Sequence, residues 1–167
     1  MHGLNLEDVT FLVVDDNPFM RSLIKTILVA LRTGPVKEAS DGADALKLLQ
    51  SGYAPDIILL DREMPVLDGI EFTKMLRSSR ELASQFTPIV MVSAHADLAK
   101  VTEARDAGVS EYLAKPLSAK ALYLRISEVV SRPRTFVKAT QYVGPCRRRS
   151  SLPSLPFDER RQEAACA

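Results

Sequence analysis

Five polar residues stand where short apolar runs stop. Asp15-Asp16 follows the run from Val9 to Val14, Asp61 follows Asp56 to Leu60, Ser93 follows Pro88 to Val92, and Lys115-Pro116 follows Glu111 to Ala114. If those runs are parallel strands of one sheet, their ends converge. Three carboxylates, a hydroxyl and an ammonium would then share a crevice. Clustered carboxylates repel one another unless a cation neutralises them, and hard oxygen donors suit octahedral Mg2+, completed by waters and a backbone carbonyl. Such a site would present Asp61 as a nucleophile toward phosphorus, with Mg2+ neutralising developing charge. Lys115 would hold one phosphate oxygen as a point charge and Ser93 would hydrogen-bond another. Pro116 invites a cis peptide that would aim the lysine inward. Taken singly, an aspartate at a strand end is most often a turn or cap residue. Asp61 is set apart by its partners on other strands, whereas Asp68 reads better as a helix cap than as a metal ligand.

The elements that must position these residues alternate regularly. A fifth apolar run, Val36 to Ala39, lies between the first and third, and three of the runs are continuous in Val, Ile and Leu, as strands covered on both faces are. Between them lie helical patterns. Asn17-Pro18 reads as an N-cap and first helical position, with Phe19, Leu23, Ile27 and Ala30 spaced along one face. Asp41 caps a second helix carrying Ala45, Leu46 and Leu49. Asp68 to Glu71 has capping-box spacing and opens a third, with Phe72, Met75 and Leu76. Leu98 to Ala107 reads as a fourth helix ended by Gly108, and Ala119 to Val130 as a fifth. Five strand-then-helix units imply a five-stranded, doubly wound parallel α/β sheet, with ligands outside the carboxyl ends of its strands.

Composition bounds the rest. The chain of 167 residues suits one domain with a short appendage. No apolar run approaches the roughly 18–20 residues that span a bilayer, and the N-terminus lacks signal-peptide features, so membrane insertion is not expected and a cytoplasmic location is. Cys146 and Cys166 supply neither a disulfide framework nor a zinc site. Residues 1–131 carry 14 Lys+Arg against 18 Asp+Glu, net −4; residues 132–167 carry 8 against 3, net +5. This divides the chain into an acidic body, 1–131, and a basic tail, 132–167, with different partners.

The body resembles the CheY-like receiver domains of two-component response regulators over roughly residues 8–131. The marks are Val-Val-Asp15-Asp16-Asn, Asp61-Arg-Glu-Met64-Pro65-Val-Leu-Asp68-Gly69, Val-Ser93-Ala94 and Lys115-Pro116, in that order. The resemblance implies a flavodoxin-like fold, Mg2+ bound by Asp15 and Asp16 together with Asp61 and the backbone carbonyl of Glu63, and phosphorylation of Asp61. The donor would be a phosphohistidine on a sensor histidine kinase or phosphotransfer protein, or a small acyl phosphate. Ser93 would move toward the phosphate and Tyr112 would swing inward behind it. Together they would remodel the face made by the fourth helix, fifth strand and fifth helix, where a target protein binds. Glu63 and His95 depart from common choices in the family and flank water's path to the acyl phosphate, so both are expected to alter its lifetime. His95 is otherwise a surface-loop histidine rather than a metal ligand, and Tyr112 read without the resemblance is core packing.

After Val130 the pattern changes to prolines, serines and arginines, and the tail is expected to be largely irregular. It is too short and too poor in apolar periodicity for a helix-turn-helix, so DNA is not an expected partner. Arg147-Arg148-Arg149 and Arg160-Arg161 could be a solvated tail. Arginine forks also bind phosphates bidentately and stack on bases, and Tyr142 offers another stacking surface. The pattern Tyr142-x-Gly144-Pro145-x-Arg147-Arg148-Arg149 resembles the tails of the Cle group of alphaproteobacterial CheY-like proteins, with Cys146 where an aspartate is common. That resemblance implies cyclic di-GMP binding through Tyr142, Arg147, Arg148, Arg149, Arg160 and Arg161, and action on the flagellar motor switch at a flagellated pole. Three readings therefore stand: a phosphorylation switch, a nucleotide effector on a receiver scaffold, and a phosphatase-like hydrolase. The last ranks lowest because the sequence offers no dedicated general acid or base for turnover, so the chain is expected to be a switch and not an enzyme.

Overall fold

The computed structural model describes residues 4–147. Five strands, β1 (Phe11–Val14), β2 (Val36–Ala39), β3 (Ile57–Asp61), β4 (Ile89–Ser93) and β5 (Glu111–Ala114), form one sheet in the order β2-β1-β3-β4-β5. Every pairing is parallel. Crossovers are made by α1 (Pro18–Ala30), α2 (Gly42–Gln50), α3 (Gly69–Ser78) and α4 (Leu98–Ala107), and α5 (Ala119–Ser131) follows β5.

Strand side chains alternate between two apolar layers, which is why β1, β3 and β4 are wholly buried and apolar up to the Asp61 and Ser93 that end β3 and β4. Leu12, Val14, Ile58, Leu60, Ile89 and Met91 pack under α2, α3 and α4. Phe11, Val13, Ile57, Leu59, Val90 and Leu113 pack under α1 and α5. The chain winds outward from β1 to β2, then returns past β1 to β3. The crevice at that reversal, between the carboxyl ends of β1 and β3, is where such sheets hold ligands.

The expected caps form. Asn17 Oδ1 accepts from the Phe19 amide, Asp68 and Glu71 complete a capping box, and Gly108 closes α4 at φ 105°. The face proposed for α1 is different. Ile24, Ile27 and Leu28 are its buried residues, whereas Phe19 is 83% exposed and Leu23 43%. The helix carries more apolar residues than one face can hold, so spacing alone did not select the stripe that meets the sheet. Met75 of α3 is likewise exposed, while Thr73 and Arg77 are buried.

The start of the tail holds a regular element that the sequence reading lacked. Antiparallel strands β6 (Phe136–Ala139) and β7 (Tyr142–Pro145) make a hairpin, turning through Thr140-Gln141. Pro145 is tolerated because it ends the outer register pair of a two-stranded ribbon. The hairpin folds back onto the sheet's amino-terminal edge. Phe136 meets Phe86 edge to face at 5.7 Å and lies under the Arg77 guanidinium, 5.0 Å from its ring centre. The glycine of β7, Gly144, packs against Gly108, where a Cβ on Gly144 would come within 2.9 Å of the Gly108 Cα.

Candidate functional site

β1 delivers Asp15 and Asp16, β3 delivers Asp61 as its last residue, β4 delivers Ser93, and the turn after β5 delivers Lys115. The carboxylates of Asp15, Asp16 and Asp61 offer ligand oxygens all within 4.8 Å of one another. Asp15 is 1% exposed and Asp61 4%, while Asp16 is exposed. Lys115 Nζ lies 2.7 Å from Asp61 Oδ1 and 3.6 Å from Asp15 Oδ2. The Lys115–Pro116 peptide is cis. Ser93 is wholly buried, and its Oγ accepts from the His95 amide at 3.0 Å.

Local structure fixes these positions. Asp15 Oδ1 accepts from the Asn17 amide at 2.8 Å, while its main-chain carbonyl accepts from Arg21 Nη1 at 2.7 Å. Asp61 Oδ2 accepts from the Glu63 amide at 3.1 Å. The loop after β3 must then turn back sharply, and Gly69 allows it: its amide donates to the Arg62 carbonyl, and a Cβ there would lie 2.4 Å from the Asp61 carbonyl oxygen. The same loop holds Val66 at φ 69°, a strained setting for a β-branched residue.

Burial dominates the electrostatics. It pushes the Asp61 carboxyl above its ordinary value; the Lys115 hydrogen bond pulls the other way, and the Asp15 charge adds to the rise. Asp15 is raised by burial first, with the Asn17 amide and Lys115 opposing. For Lys115 burial favours the neutral amine, but its bond to Asp61 and the two nearby carboxylates outweigh this and raise it. Asp15 Oδ2 is buried with no hydrogen-bond donor among the described residues, Lys115 Nζ standing off at 3.6 Å. An orphaned carboxylate oxygen beside two further carboxylates is a donor set suited to a small hard cation, and the cluster is compatible with Mg2+.

Glu63 and His95 meet across the mouth of this crevice, His95 Nε2 lying 3.3 Å from Glu63 Oε1. Tyr112, half-buried on β5, donates its hydroxyl to the His95 carbonyl. Serine, histidine and tyrosine thus form one connected chain from β4 to β5. Sequence reasoning missed Arg62, whose guanidinium pairs with Glu103 and reaches the Lys100 carbonyl at 3.4 Å, tying the residue after Asp61 to α4. It also missed Arg21. Arg62 stands directly after Asp61, but its partner Glu103 is 41 residues away, and Arg21 lies within a helical pattern, so no local signal marks either contact.

The tail residues are divided. Tyr142 and Arg147 lie together in the hairpin region, the Arg147 guanidinium 4.5 Å from the Tyr142 ring centre and its Nε 3.5 Å from Asp106 Oδ1 on α4. Both are near the amino-terminal edge of the sheet and none of the Asp61 cluster touches them. Arg148, Arg149, Arg160, Arg161 and Cys166 lie outside the described residues. Among the described residues no helix is long and apolar enough to cross a membrane.

Comparison with known proteins agrees with this geometry. The response regulator receiver domain model matches residues 11–127. Chemotaxis protein CheY-3 of Vibrio cholerae serotype O1 is 33% identical over 132 residues, 79% of this chain and 99% of that protein. Chemotaxis protein CheY of Pseudomonas aeruginosa is 36% identical over 121 residues, 72% of this chain and 95% of that protein. The solved structure of Vibrio cholerae CheY4 superposes with a TM-score of 0.67 at 30% identity, covering 73% of this chain and 98% of that one. With the matching fold and the acidic strand-end cluster, these relations show that the chain belongs to the response regulator receiver domain family.

Proposed function

We propose that the protein is a phosphorylation switch of a two-component relay, working in the cytoplasm, with Asp61 as its phospho-acceptor. The observation that carries this reading is the Asp61 carboxylate held between Lys115 Nζ at 2.7 Å and the Glu63 amide at 3.1 Å, beside two further aspartates. An ionised Asp61 oxygen attacks the phosphorus of a phosphohistidine; the P–O bond forms as the P–N bond breaks, and the leaving imidazole takes up a proton. Asp15, Asp16, Asp61 and the Glu63 carbonyl would hold Mg2+, which when bound neutralises charge on the transferring group. Lys115 stabilises one phosphoryl oxygen, and the Ser93 hydroxyl turns from the His95 amide to another. Movement of Ser93 loosens the His95 loop to which Tyr112 is bonded, so phosphorylation reaches the α4–β5–α5 face and changes a target protein's affinity there. Chemotaxis proteins among the relatives make a motility target, the flagellar motor switch, the first to try.

The test is incubation with acetyl phosphate and Mg2+ followed by intact mass. One phosphoryl adduct is expected, absent in Asp61→Asn and absent after chelation of Mg2+. An adduct on the Asn variant would place the acceptor elsewhere and defeat the proposal.

A second reading concerns the basic tail, which we propose binds cyclic di-GMP. It is supported by the Arg147 guanidinium already stacked on Tyr142, an arrangement a guanine base could join. Calorimetric titration of the full chain should show binding that Arg147→Ala with Arg148→Ala removes. No heat from the full chain would leave a receiver whose tail docks a protein partner instead.

A further inference from the structure

We infer that residues 148–157 of this chain dock in the open groove between α3 and α4. The groove is walled by Lys74 of α3 and by the α4 stripe that runs through Leu98, Ala99, Glu103 and Asp106. At its head Leu98 is 82% exposed, a large apolar side chain with nothing over it among the described residues. At its foot the described chain ends, and it ends attached: Arg147 Nε is 3.5 Å from Asp106 Oδ1. The next residues therefore emerge at the groove itself.

What emerges matches what the groove offers. Arg148 and Arg149 follow immediately in the sequence and add positive charge next to Asp106, which already pairs with Arg147, and to Glu103, which pairs with Arg62; then come Leu152, Pro153, Leu155 and Pro156. A proline biases the residue before it away from helical geometry, so the sequence around Leu152 and Leu155 suits the extended occupant we infer. The lengths agree as well. From Asp106 to Leu98 is eight helical residues, about 12 Å at roughly 1.5 Å each. An extended chain advances about 3.3 Å per residue. Leu152, five residues past Arg147, is thus the first apolar side chain able to come level with Leu98, and Leu155 follows it. A covalently attached segment needs little intrinsic affinity, because its effective concentration is set by the short link from Arg147. The segment runs from the amino-terminal edge of the sheet toward the loop that carries His95, and so toward the mouth of the Asp61 site. The inference depends on neither phosphorylation nor a nucleotide.

A nitroxide on Ser154→Cys, in a full chain with Cys146→Ser and Cys166→Ser, reads this directly through its broadening of 15N amide signals. Broadening of several-fold confined to Lys74 and to residues 98–107 is expected, and it should vanish when Leu152→Ser and Leu155→Ser are added. Uniformly weak broadening, or broadening centred on another face, would overturn the inference. So would broadening that appears only between labelled and unlabelled molecules in a mixed sample, since the occupant would then be a second copy.

Discussion

As the proposed nucleophile, Asp61 meets two opposed demands. A nucleophile must be ionised, yet burial and the Asp15 charge both favour its proton. Because its folded value lies above the unfolded one, the native state binds more protons across the interval between them, and stability falls as pH rises through that interval. Asp61→Asn removes this penalty and keeps an oxygen for Lys115 to donate to. Near neutral pH the variant should melt higher by about 2–4 °C, the size expected for about 1 kcal/mol in a chain of this length. The gain should vanish on acidification below the ordinary aspartate range, as melting curves across pH would reveal. A neutral-pH variant melting below the parent would mean that the Lys115 ion pair outweighs the burial. The Glu63–His95 pair sets a second residue-scale expectation. It bridges the mouth at 3.3 Å, so Glu63→Ala with His95→Ala should open water's path and shorten the phosphoryl lifetime. A rise of about threefold corresponds to only ~0.7 kcal/mol on the barrier. An unchanged decay of the phosphorylated protein would show that the pair shields nothing.

Among the elements, α3 has the least expected interior. Arg77 is 3% exposed and has no carboxylate partner among the described residues; it donates to the carbonyls of Gln85, Thr87 and Gly108, and burial pushes its guanidinium down to about 9, which leaves it a cation at neutral pH. One side chain thereby joins α3, the segment before β4, the end of α4 and, through Phe136, the hairpin. Arg77→Leu would strand three buried carbonyls and should cost about 3 kcal/mol, read as a lowered urea midpoint, with faster amide exchange at Val143. Arg77→Lys should rescue little, since an ammonium cannot match the planar fork. An undiminished midpoint in Arg77→Leu would show that water replaces the guanidinium. The sequence could not announce this role. An arginine on an amphipathic helix ordinarily faces solvent, and Arg77 is covered only because carbonyls distant in the chain converge on it. The strands and four of the caps were legible because their signals are local: continuous apolar runs, and Asn17, Asp41, Asp68 and Gly108 beside helical periods. The buried stripe of α1 was not, because Phe19, Leu23 and Val29 make more than one face apolar.

For the whole molecule, the boundary between body and tail carries the main consequence. The family match ends at residue 127, before β6, and the charge balance also changes sign after 131. Yet the hairpin beyond that point is packed: Arg134 donates to the Ser110 carbonyl at 3.1 Å, Phe136 meets Phe86, and Cys146 donates its amide to the Thr135 carbonyl. A chain stopped at Ser131 should therefore lose about 2–3 kcal/mol, the scale of one or two large apolar side chains returned to water. A chain stopped at Arg147 should keep most of that stability. Equal melting of the two would mean that the hairpin rests on the body without supporting it. Composition marked where the tail's chemistry differs, but pairing across Thr140-Gln141 has no Asn-Gly or Asp-Gly signal to betray a two-residue turn. The strand-end residues were legible as a site for the opposite reason, since the parallel topology gathers every carboxyl end at one edge.

α4 is fastened at both ends. Near its start Arg62, next to Asp61, grips Glu103 and the Lys100 carbonyl; at its finish Arg147 and the Gly108–Gly144 contact hold it to the hairpin. A beam pinned in this way cannot shift at one end without loading the other. If Asp61 is the phospho-acceptor and its phosphorylation shifts α4, anything that grips the tail and prefers one position of α4 changes that phosphorylation equilibrium by the same factor with which phosphorylation changes its own binding. Under that reading the helix would make the two ends of the molecule each other's effectors.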